Sequence, residues 1–133
     1  MTNPEDAVYF PKAEDSLQEH EIKLALPVAK QLVAQHLESA MLYSWSLVEA
    51  TLRIVAQKEE LSLQLDPRYL VKQLVVEGVI SKSEYQLLMN SFSLRNAIAH
   101  GFKTTQLTEN SVYELIEIAD QLLKYLHTGE GSG

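Results

Sequence analysis

The chain has 133 residues, 46% of them hydrophobic and 22% charged, which is the balance of a single globular domain large enough to bury a core. Its formal net charge of −7 argues against a broad phosphate-binding face, so any nucleic-acid contact has to be local. It contains no cysteine, which excludes disulfides, thiolate metal ligands and a cysteine nucleophile.

Residues 1 to 15 read as an N-terminal arm, with Pro4, Pro11 and the acids Glu5, Asp6, Glu14 and Asp15, and with Tyr9 and Phe10 available to pin it. This start has neither the basic nor the apolar region of a secretory signal, so a cytoplasmic location is expected. Ser16 and Glu19 have the spacing of a capping box, which predicts a first helix from about residue 17 with a kink or break near Leu26, ahead of Pro27. From Pro27 to Lys58 there is neither Gly nor Pro, and the apolar spacing predicts one long central helix. Within it Ala40, Ser44, Leu47, Thr51 and Ile54 form a seam of mostly small residues suited to close helix packing. Trp45 and Tyr43 read as core or interface aromatics.

Asp66 and Pro67 predict the start of a short helix that Gly78 ends. Ser81 and Glu84 form a second capping box that opens a helix running to about His100, with Gly101 supplying the left-handed residue past its end. Thr108 caps a last helix to about His127, and residues 129 to 133 read as a Gly-rich tail. The expectation is an all-α antiparallel bundle of four to five helices over residues 16 to 128. The longest uncharged runs are about half of what a bilayer span requires, so no membrane association is expected.

The chemistry gathers at the end of the penultimate helix, where Arg95, Asn96 and His100 precede Gly101. At about 100° per residue Asn96 and His100 share a face, while Arg95 points to one side. This places Asn96 to orient the imidazole and Arg95 to bind an anion. Glu49 and Arg53 on the central helix have the spacing of an i, i+4 ion pair. His20, His36 and His127 have no metal-ligand spacing, and neither a metal nor another cofactor is expected.

The run Arg95-Asn96-Ala97-Ile98-Ala99-His100 resembles the motif of the HEPN superfamily, an Arg followed by a polar residue, with a His after a short spacer near the end of a helix. The resemblance covers roughly residues 16 to 127 and implies a bundle of four or five helices. It also implies a metal-independent endoribonuclease of the toxin or phage-defence kind, in which a homodimer brings both copies of Arg95 and His100 into one cleft. The imidazole would act as base or acid, since an ordinary histidine pKa of about 6.5 allows either role near neutrality. The guanidinium fork would hold the phosphate, and the resemblance makes Glu49 on the central helix the candidate to brace Arg95. The partners implied are RNA and a second copy of the chain, with an antitoxin or nucleotidyltransferase as a further possibility. The family's toxins often carry a tyrosine two residues after the His as a target for modification with AMP, and here that residue is Phe102, which has no hydroxyl. The competing reading is a non-catalytic helical dimerisation module that binds a protein partner or a nucleotide.

Overall fold

The structure is a computed structural model that describes residues 17–61 and 66–131. Among the described residues it is all helical: α1 is Glu19–Gln35, α2 Leu37–Lys58, α3 Pro67–Val76, α4 Lys82–Ala99 and α5 Glu109–Gly131. The all-α bundle expected from the sequence is the fold observed. The N-terminal arm and Ser16 lie outside the described residues.

The two long helices depart from expectation at both of their punctuation points. Pro27 does not break α1, which runs through it. A proline removes the donor to the carbonyl four residues back, here that of Lys23. Lys23 and Pro27 are both exposed, so the freed carbonyl lies on the solvent side and the helix tolerates the loss. The break comes instead at His36, inside the stretch expected to be one continuous helix. His36 is at φ −156 and ψ 101, closing α1 and opening α2 in a single residue. Its ring Nδ1 accepts from the Ser39 backbone N–H at 3.1 Å, taking the part normally played by Ser or Asp at a helix start. α1 begins two residues later than the expected box, with Gln18 as its cap and Glu21 accepting from the Gln18 N–H at 2.9 Å.

The other boundaries follow the local signals. Asp66 accepts from the Arg68 N–H at 3.0 Å to start α3, and Ser81 and Glu84 cap each other reciprocally at 2.9 and 3.1 Å to start α4. Thr108 accepts from the Ser111 N–H at 3.0 Å. At the far end α5 continues past His127 to Gly131, because glycine in a helix costs about 1 kcal/mol without forbidding the conformation.

α2 is the axis of the bundle and packs on all four other helices. Its buried residues include Ala40, Ser44, Leu47 and Thr51 of the small-residue seam together with Trp45 and Leu52. α5 is tied to it at the C-terminal ends: the Tyr125 hydroxyl donates to Glu59, and the Lys58 ammonium donates to the Leu126 carbonyl. α4 lies at the edge. It buries only Leu88, Ser91 and Leu94, while Tyr85, Leu87, Met89, Phe92 and Ile98 are half-covered. A helix so placed carries its C-terminal residues to the surface of the bundle and not into its core.

Candidate functional site at the end of α4

The end of α4 is built by two backbone hydrogen bonds around a left-handed glycine. Gly101, at φ 79, donates to Ile98 O at 3.1 Å, and Phe102 donates to Ala97 O at 2.8 Å. This is the double-bonded C-terminal turn that satisfies the last helical carbonyls. It fixes His100 as the capping residue, exposed, with its backbone N–H bonded to Asn96 O at 3.0 Å. Among the described residues the His100 imidazole makes no hydrogen bond, and the Asn96 side chain does not reach it.

Asn96 is engaged elsewhere. Its Oδ1 accepts from Arg95 Nη1 at 3.0 Å, and both residues are half-buried. Arg95 and Asn96 are therefore brought together by the structure, with His100 one turn away on the rim. Glu49 does not join them. Its Oε1 accepts from Trp45 Nε1 at 2.5 Å and its Oε2 pairs with Arg53 Nη2 at 3.1 Å, so the expected brace of Arg95 is absent and the expected i, i+4 pair with Arg53 is present.

This arrangement sorts the chain's three arginines. Arg53 is held by Glu49. Arg68 is held by Asp66, with Nη2 to Oδ2 at 2.9 Å and Nε to Oδ1 at 3.1 Å, and those bonds keep the Asp66 carboxyl below its ordinary range. Arg95 alone has no carboxylate partner among the described residues. A guanidinium with only a neutral amide beside it keeps its charge available for an external anion, such as a phosphate oxygen.

One neighbour was not legible in the sequence. Arg68 of α3 lies with its Cζ 5.3 Å from the centre of the Phe92 ring, and Phe92 in turn packs on Trp45 at 5.6 Å between centroids with a 57° tilt. Phe92 precedes Arg95 by one helical turn. A second, more exposed guanidinium therefore sits along α4 from the motif, and no spacing within either helix announces it. Trp45 is 1% exposed, which settles it as a core aromatic.

Among the described residues no three His, Asp or Glu side chains converge where a metal ion could be held. A groove of about 740 Å³ runs between α1 and α5 and is lined by residues such as Lys23, Lys30, Tyr113 and Lys124, with none of the motif. At the motif His100 is exposed, and Arg95 and Asn96 are half-buried.

Fold and site thus define an all-α bundle with an Arg-Asn-x-x-x-His helix end on its surface. Over 93 residues the chain is 37% identical to a protein of Archaeoglobus fulgidus described as "Putative RNase", the match covering 64% of this chain and 70% of that one. The chain belongs to the same family as that archaeal protein. No family model matches it, and no solved structure does.

Proposed function

We propose that the chain is a metal-independent endoribonuclease of the HEPN type, a toxin or phage-defence enzyme that acts as a cytoplasmic homodimer on RNA. The observation that carries this reading is Arg95, the arginine with no carboxylate partner among the described residues, one turn from an exposed His100. The archaeal relative's description as an RNase supports the same class.

In the proposed reaction one His100 takes the proton of a ribose 2′-hydroxyl, and the oxygen attacks the adjacent phosphorus. The bond from phosphorus to the 5′-oxygen breaks, and that oxygen receives a proton from the second subunit's histidine. The products are a 2′,3′-cyclic phosphate and a 5′-hydroxyl, and no metal is consumed or required. Arg95 stabilises the charge on the pentacoordinate phosphorus, and its bond to Asn96 holds the fork in place. One chain supplies one histidine in the motif, which is why two copies are needed for the acid and base roles.

The test is cleavage of single-stranded RNA by purified protein in EDTA, with the product ends identified and the oligomeric state measured by light scattering. His100→Ala should lower turnover about 10²- to 10⁴-fold, the contribution of one proton-transfer group, with the fold intact. Cleavage that needs added Mg²⁺, or His100→Ala and Arg95→Ala variants that cleave like the parent, would overturn the proposed mechanism. A parent that cleaves no RNA would replace it with the interaction-module reading.

A further inference from the structure

Phe102 is 69% exposed, although its backbone N–H closes the hydrogen-bonded turn at the end of α4. In a helix end of this kind the residue after the glycine commonly folds an apolar side chain back onto the last turn. The chain contains an internal comparison. α3 ends in the same turn, with Gly78 at φ 78 bonded to Val75 O at 3.0 Å and Val79 bonded to Leu74 O at 2.9 Å. There the residue after the glycine, Val79, packs against the hydrophobic core. At the end of α4 the residue that accepts the second hydrogen bond is Ala97 where α3 has Leu74, a single methyl group offers little cover to an aromatic ring, and the Phe102 ring stays in solvent.

An exposed phenylalanine costs solubility and contributes little to folding, yet its backbone is held by a 2.8 Å hydrogen bond in the turn that also positions His100. Lys103, also exposed, follows it. Along the chain, a half-buried guanidinium is followed by an exposed imidazole, an exposed aromatic ring and an exposed ammonium. Aromatic rings interleaved with cations are how proteins hold single-stranded nucleic acid, because every base offers a face to stack on while the cations follow the backbone.

We propose that Phe102 is the stacking platform for a base next to the cleaved phosphodiester. This rests on the ribonuclease reading and adds a base-binding residue to it. A duplex would be a poor substrate, since its bases are already stacked and paired.

The experiment compares the parent with Phe102→Ala and Phe102→Trp. Binding is read on a single-stranded 2′-deoxy oligonucleotide carrying a fluorescent purine, which this chemistry cannot cleave, and turnover is read on the matching RNA. Phe102→Ala should raise Kd and KM about 5- to 100-fold and quench the fluorescent base less, with kcat nearly unchanged, while Phe102→Trp should bind at least as well as the parent. Equal binding by the parent and Phe102→Ala overturns the proposal, as does equal impairment in the Ala and Trp variants. A shift from dimer to monomer in Phe102→Ala without an effect on the fluorescent base would assign the ring to a protein contact instead. If the parent cleaves RNA and Phe102→Ala cleaves it identically, only this inference fails. If the parent neither binds nor cleaves RNA, the ribonuclease reading fails with it.

Discussion

Glu49 offers the sharpest test of how the site is supported, because the structure gives it two partners and neither is Arg95. In Glu49→Ala, the indole Nε1 of Trp45, a residue that is 1% exposed, loses its acceptor. An unsatisfied buried donor costs about 1 to 3 kcal/mol. Loss of the partly exposed Arg53 pair adds about 0.3 to 0.5 kcal/mol. The sum is about 1.5 to 3.5 kcal/mol, or a fall in Tm of about 6 to 14 °C at about 4 °C per kcal/mol for a domain of this size. Glu49→Gln keeps an oxygen for the indole and loses only the charge, so it should cost about 1 kcal/mol or less. Trp45 is the chain's single tryptophan, so denaturation followed by its fluorescence reads both variants directly. Equal losses in the two variants would refute the reasoning. So would a Glu49→Ala protein of parental stability whose RNA cleavage falls as far as that of Arg95→Ala, for then the carboxylate acts on Arg95 after all.

Two further expectations concern stability. Pro27→Ala restores the donor to the Lys23 carbonyl inside α1 and removes a residue that costs about 3 kcal/mol in a helix interior, partly offset by the looser unfolded chain, so the protein should gain about 1 to 2 kcal/mol in denaturant unfolding. No gain would mean that the backbone at this point is already relaxed. Tyr125→Phe removes the hydroxyl that donates to Glu59 and should cost about 0.5 to 1.5 kcal/mol at neutral pH. That hydrogen bond, reinforced by burial and by the negative charge of Glu59, raises the Tyr125 pKa above its ordinary 10.0. The stabilisation is therefore complete below the ordinary value and is lost as pH rises through the raised one. The stability gap between parent and Tyr125→Phe should close in alkaline solution, and a gap that persists there would remove Glu59 as the cause.

Helix starts and stops were readable wherever the determining contact spans a few residues. Asp66 with Pro67, Ser81 with Glu84, Thr108, Gly78 and Gly101 each act on backbone groups within one turn, so composition and spacing carry their meaning before any folding. The placement of Arg95, Asn96 and His100 at a helix end was legible for the same reason. Tertiary structure decided the rest. Pro27 is tolerated because its face of α1 points to water, and the chain breaks at His36 because a ring nitrogen caps α2, a use of histidine that no cap preference announces. Glu49 turns to Trp45 and Arg53, and Arg68 comes to rest over Phe92, through packing among α2, α3 and α4. Those are contacts between helices, set by which faces the core buries, and a one-dimensional pattern carries the periodicity of each face but not the neighbour it meets.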